Sequence, residues 1–220
     1  AKVTPSNVQY SYAGVRPLPS APGTNEGAVT RRHMLVDHGM QGETEGLYSV
    51  VGGKLTTYRE LAEHAVSMVE QAMGRDPGRS PTADSPLPGA PLDQDWQAFR
   101  AQFLATSPLP LPTNEHLLRV YGARAAEVAE YARARDLVTV IDDDSGVIAA
   151  EVPWAFEREG AQTLADVVAR RTMTGLGPRV GIGPDEAMAK VAQAALGWSE
   201  ARADQEVATY RKWVERYQPR

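Results

Sequence analysis

From Thr56 to Met73 the apolar positions Tyr58, Leu61, Ala62, Ala65, Val66, Val69 and Ala72 return at helical spacing. Arg59, Glu60, Glu63, His64 and Glu70 fill the other side, which predicts an amphipathic helix. Ahead of it, residues 8–18, 28–37 and 47–51 read as strands. The Pro, Gly, Ser and Asn residues between Pro19 and Gly27 mark a turn or loop joining the first two. Such strands can pair as a small antiparallel sheet, which needs cover on at least one face.

The stretch Gly74 to Leu92 holds five prolines together with Gly, Ser and Asp, and reads as a linker. Beyond it the pattern is helical throughout: Asp93 to Ala105, Thr113 to Ala134, Val147 to Glu159, Thr163 to Met173, Pro184 to Gly197 and Ser199 to Tyr217. Thr163 with Asp166 has the form of a capping box, Pro184 suits a first helical turn, Gly197 a stop and Ser199 an N-cap. The expected fold is therefore α+β and mostly helical. Residues 1–75 form a small β remnant with a glycine-led helix, residues 76–92 a linker, and residues 93–220 an all-α C-terminal domain.

With 220 residues and 42% hydrophobic content the chain can bury a core of its own. No run approaches the roughly 18 consecutive apolar residues of a membrane span, and Ala1-Lys2-Val3-Thr4-Pro5 lacks the pattern of a signal peptide. The missing initiator Met leads us to expect a chain cut from something longer. The absence of cysteine excludes disulfides, thiolate metal sites and cysteine nucleophiles, and makes a reducing cytoplasm the default. A net charge of −5 argues against a general nucleic-acid binder, so anion recognition has to be local.

One segment offers such a place. Leu47-Tyr48-Ser49-Val50-Val51-Gly52-Gly53-Lys54-Leu55-Thr56-Thr57-Tyr58-Arg59 is a β-branched strand broken by two glycines and followed by the helix. Glycines let backbone approach a flat or anionic group closely, the first amides of a helix have no intrahelical acceptor, and Lys54 adds a positive charge. The plain alternative is a tight strand-to-helix turn with a solvated lysine. Arg16 and Arg31 could bring two guanidinium forks to one phosphate or carboxylate if their strands pair; singly, each is better explained by a structural role.

Other patterns carry less. Gly175-Leu176-Gly177-Pro178-Arg179-Val180-Gly181 has the wrong spacing for a nucleotide loop, and Pro178 lacks an amide; it reads as the end of one helix leading to the next. Asp142, Asp143, Asp144 and Gly146 lack the alternating ligands of a calcium loop and read as a solvated turn. The four histidines show no metal-ligand pairing on one helix face, so His33 and His38 carry little weight as acid–base candidates. Trp96, Trp154, Trp198 and Trp213 fall among apolar helical positions and suit core or interface packing.

Tyr12-Ala13-Gly14-Val15-Arg16-Pro17-Leu18, Thr30-Arg31-Arg32 and Val51-Gly52-Gly53-Lys54-Leu55-Thr56-Thr57-Tyr58-Arg59, in this order, resemble the C-terminal half of the FAD-dependent glycerol-3-phosphate dehydrogenases. Ala150-Glu151-Val152 through Ala155, and Thr163 to Thr172 with Gly175-Leu176-Gly177, resemble that family's helical C-terminal domain. The resemblance implies a flavoprotein that oxidises sn-glycerol 3-phosphate to dihydroxyacetone phosphate and passes electrons to the quinone pool, in the cytoplasm or peripherally on the inner face of the plasma membrane. It further implies that Arg16 and Arg31 bind the substrate phosphate and that Lys54 sits beside substrate and flavin as a catalytic and substrate-binding residue. Gly52, Gly53, Leu55, Thr56 and Thr57 would lie against the flavin.

The family's Gly-x-Gly-x-x-Gly phosphate loop has no counterpart in this sequence. We therefore expect a fragment that neither retains FAD tightly nor turns over alone. The acceptor could instead be oxygen, as in a glycerophosphate oxidase. A reading from another class makes the helical region a binding, dimerisation or membrane-docking module, with Arg202, Arg211, Lys212, Arg216 and Arg220 meeting an anionic surface.

Overall fold

In the computed structural model the described residues are 4, 7–8, 11–15, 23, 32–92 and 95–217. The chain divides into two compact units: Ala13–Pro86, and Leu87–Arg220 with Ala1–Tyr12.

In the first unit, β1 (Met34–Asp37) and β2 (Tyr48–Val51) pair antiparallel in the register Met34↔Val51 to Asp37↔Tyr48. The intervening turn is held by the carboxylate of Asp37, which accepts from the amides of Gly39 and Met40 at 2.9 and 3.3 Å. His38 ties it further, to Ser49 Oγ at 2.8 Å and to Glu43. After Gly52-Gly53 a 3-10 turn, Leu55–Thr57, precedes α1 (Tyr58–Ala72). The following proline-rich stretch packs back on that helix, since Arg59 donates to the carbonyls of Thr82 and Ser85.

The amphipathic helix and the second and third strands are thus as the pattern predicts, except that the strand expected at 28–37 is formed over Met34–Asp37. Its residues 28–31 lie outside the described residues. The strand expected at 8–18 is a correction: Val8 and Ser11–Val15 are irregular, and the remainder lies outside the described residues.

The second unit is built from α2 (Trp96–Thr106), α3 (Leu111–Tyr121), α4 (Ala125–Ala134), a hairpin of β3 (Val140–Asp142) and β4 (Val147–Ile148), α5 (Glu151–Arg158), α6 (Leu164–Asp166), α7 (Pro184–Leu196) and α8 (Glu200–Val214). Helix α5 is central. Val152 and Ala155 face a core with Leu164, Val168, Met188, Trp198 and Tyr210, while Trp154 joins Leu117, Leu118, Val128 and Ala132. The local end signals hold: Thr163 and Asp166 form the capping box, Pro184 begins α7, Gly197 ends it at φ 71°, and Ser199 caps α8.

Three helical expectations are corrected. The helix over 113–134 breaks at Gly122, whose φ of 59° admits the carbonyl of Gly89 where a Cβ would stand. Val147 and Ile148 belong to the β3–β4 hairpin, and α5 starts at Glu151. Thr163 to Met173 is one short turn continuing as a π-helical turn, Val167–Arg171, whose first carbonyl, at Val167, accepts from both the amide and the Oγ1 of Thr172, each at 2.9 Å.

Candidate functional site

The Gly52-Gly53 bend owes its shape to register. Because β1 begins at Met34, paired with Val51 at the end of β2, the chain beyond Val51 turns against residues 32 and 33. A Cβ on Gly52 would stand 3.2 Å from the carbonyl of Arg32, and one on Gly53 3.4 Å from His33 Cβ. With φ at 73° and 102°, both residues place their would-be side chains inward, and the other side is bare backbone.

The next residues are open to solvent. Lys54, Leu55 and Thr56 are exposed, Leu55 by 90%, and the ammonium of Lys54 makes no hydrogen bond or ion pair among the described residues. Neither Lys54 nor Thr57 caps the turns that follow them; Thr57 Oγ1 instead donates to the carbonyl of Lys54 at 3.2 Å. The positive end of the helix therefore opens through a 3-10 turn rather than directly from α1, with amides unspent on side chains. Bare backbone, a positively polarised turn, a free cation and one exposed apolar side chain together fit the edge of a flat ring carrying negative charge.

The structure brings Gly52, Gly53, Lys54, Leu55, Thr56 and Thr57 together in one exposed bend. Arg16 and Arg31 lie outside the described residues. A contact that sequence reasoning missed lies behind the bend: His33 Nε2 is 3.1 Å from His64 Nδ1. Each histidine was weighed alone. Helix phase puts His64 among the polar residues of α1 and His33 precedes β1, so no periodic signal paired them.

Elsewhere the candidates resolve into structure. Asp142 accepts from Ser145 Oγ at 2.5 Å and from the amide of Gly146 through its carbonyl, a closed turn, and no group of three potential metal ligands exists among the described residues. Gly175 packs on the π-helical turn, 2.6 Å from the Val168 carbonyl to its would-be Cβ. Trp154 and Trp198 are buried. Of the C-terminal basic residues, Arg211 is fixed between Asp185 and Glu186, and Arg202 lies 4.3 Å over the Trp198 ring. Arg216 lies 5.2 Å over the Trp213 ring, and Arg220 is outside the described residues. Among the described residues no helix is long and apolar enough to cross a membrane.

Comparison with known proteins decides the family: residues 80–203 match the C-terminal domain of alpha-glycerophosphate oxidase. The chain belongs to this family. Over 220 residues it is 33% identical to a glycerol-3-phosphate dehydrogenase of Synechocystis, covering 98% of this chain and 39% of that protein. It is 31% identical to a glycerol-3-phosphate dehydrogenase of Mycobacterium leprae, covering 97% of this chain and 36% of the relative. With D-erythritol 1-phosphate dehydrogenase of Brucella abortus it shares 37% identity over 180 residues, 78% of this chain and 34% of that one. The chain thus spans between one third and two fifths of the length of these relatives, and the family match begins after the glycine bend.

Proposed function

We propose that this chain is the C-terminal part of an FAD-dependent oxidoreductase that converts sn-glycerol 3-phosphate to dihydroxyacetone phosphate, with quinone as the electron acceptor. The observation that carries the reading is the exposed Gly52-Gly53 bend with its unspent amides and free lysine, in a chain similar along nearly all its length to glycerol-3-phosphate dehydrogenases.

When bound, FAD would supply the acceptor for the hydride that leaves the substrate's secondary carbinol carbon. In this reading Gly52, Gly53, Leu55, Thr56 and Thr57 hold the flavin edge, and the positive end of the helix favours the negative charge that reduction brings. Lys54 holds a negative oxygen of the substrate, and Arg16 and Arg31 clamp its phosphate by forked hydrogen bonds. The chain's small-molecule partners are then glycerol 3-phosphate and quinone. Cytoplasmic placement with peripheral membrane contact, and pairing into a homodimer, are further parts of the proposal.

The test uses the complete polypeptide in which this sequence occurs. It should purify with flavin absorbance that is bleached anaerobically by glycerol 3-phosphate and restored by a quinone analogue without peroxide release. Preference for D-erythritol 1-phosphate would move the substrate to a longer polyol phosphate, and stoichiometric peroxide would make the protein an oxidase. Absence of flavin would sink the proposal.

A further inference from the structure

We propose that His33 and His64 form a strut that sets the direction in which the Gly52-Gly53 bend faces the flavin, so that this pair of positioning residues governs FAD retention and flavin potential without touching substrate. This inference rests on the flavin-facing role of the bend proposed above.

The segment from Gly52 to Thr57 is held from its two ends, by the strand and by the helix. At the strand end it passes close to Arg32 and His33, so that a Cβ on Gly52 would stand 3.2 Å from the Arg32 carbonyl and one on Gly53 3.4 Å from His33 Cβ. At the helix end it continues into α1, which has no fully buried residue. Within this chain α1 is tied by directional contacts, of Arg59 to the carbonyls of Thr82 and Ser85 and of His64 to His33, rather than by burial, and the amides of the 3-10 turn share its direction. The His33–His64 contact of 3.1 Å closes this triangle: His64 stands in the second turn of α1 and reaches back to the residue that flanks Gly53. Leu61, one turn before His64, completes the support, 3.9 Å from the would-be Cβ of Gly53.

Imidazoles suit the task because the ring is rigid and only two side-chain torsions separate it from backbone on each side. The two planes meet at 54° with ring centroids 5.4 Å apart, so the pair is joined through the nitrogens rather than by stacking. No acidic residue completes a metal-binding group of three with them among the described residues.

The complete holoenzyme tests this with His64→Leu, His64→Asn and, in parallel, Gly53→Val. Asparagine carries an amide where Nδ1 of histidine stands and can keep the hydrogen bond; leucine cannot. FAD dissociation constant and flavin midpoint potential are measured for each, with circular dichroism confirming the fold. His64→Leu should weaken FAD retention by about three- to tenfold and shift the potential, and His64→Asn should restore both. His33→Gln, which keeps an amide near the Nε2 position, should behave as His64→Asn does, and it replaces that variant should either His64 change fail to fold. Retention and potential in His64→Leu equal to the parent, or equally damaged in the leucine and amide variants, would overturn the strut while Gly53→Val still weakens FAD binding. If Gly53→Val also binds FAD normally, the flavin-facing reading itself falls.

Discussion

Glu151 is the residue whose replacement should cost the helical unit most. Its carboxylate is fully buried at the start of α5 and collects three hydrogens. His116 Nε2 lies 3.1 and 2.9 Å from its two oxygens, the Tyr121 hydroxyl donates at 3.0 Å and the amide of Ile148 at 2.8 Å. One side chain thus joins α3, β4 and α5. In Glu151→Ala the three donors remain in the interior without an acceptor, at about 1–2 kcal/mol each. The lost packing adds about 1 kcal/mol. The total of about 4–7 kcal/mol is comparable with the whole stability of an ordinary domain, about 5–15 kcal/mol.

Glu151→Gln keeps one oxygen but turns an amide group toward hydrogens, and should lose about 2–3 kcal/mol. Tyr121→Phe should lose about 1 kcal/mol and add little further damage on top of Glu151→Ala, because its partner is already gone. All four tryptophans lie in this unit, so urea unfolding followed by their fluorescence reads it alone. A loss below about 2 kcal/mol in Glu151→Ala would refute the assignment of this carboxylate as the common acceptor.

Gly122→Ala would force a Cβ into the carbonyl of Gly89 at a backbone angle of 59°, and should cost about 3 kcal/mol in the same urea assay. Asp166 is partly desolvated, yet hydrogen bonds from the amides of Gln162 and Thr163, the Thr163 hydroxyl and the Arg170 guanidinium hold its carboxyl below the usual range. A depressed folded value gives stability that is present above the unfolded value near pH 4 and lost as the pH falls below it, so Asp166→Asn should flatten the acid limb of thermal unfolding between about pH 4 and 2. Burial pushes Glu159 the other way, raising it despite the bond from Trp154 Nε1 at 3.3 Å. Its charged form is therefore disfavoured in the fold, a cost that grows as the pH rises, so Glu159→Gln, which keeps an acceptor, should gain in melting temperature relative to the parent between about pH 4 and pH 7. Hydrogen exchange of the 220-residue chain should find the amides of α1, which has no fully buried residue, less protected than those of α5, which has five.

What the sequence made legible was whatever its cause kept local. The capping box of Thr163 and Asp166, the first-turn Pro184 and the left-handed Gly197 act within four residues of their effects, and each stands where the pattern predicts. The break at Gly122 was hidden because its cause is Gly89, a partner brought in by the fold. The β3–β4 hairpin was hidden because short apolar runs such as Val147-Ile148 fit helix and strand equally, and only the antiparallel partner Val140 settles which. The π-helical turn depends on the close approach of Gly175 to Val168 and Ala169, again a contact without periodic trace.

The candidate site divides along the same line. Two adjacent glycines between a strand and a helix announce a bare bend, because no other residue takes φ of 73° and 102° in succession without strain. The support of that bend was invisible: His33 and His64 are 31 residues apart, and neither sits in a motif. Yet the support decides whether the bend is a site or only a turn. A loop that presents amides to a ring must hold them to a fraction of an ångström, and within this chain α1 has no fully buried residue that would do so by packing. The directional contact of His33 with His64 supplies what burial within this chain does not, which is why FAD retention should respond to an exposed histidine that has no place in the chemistry.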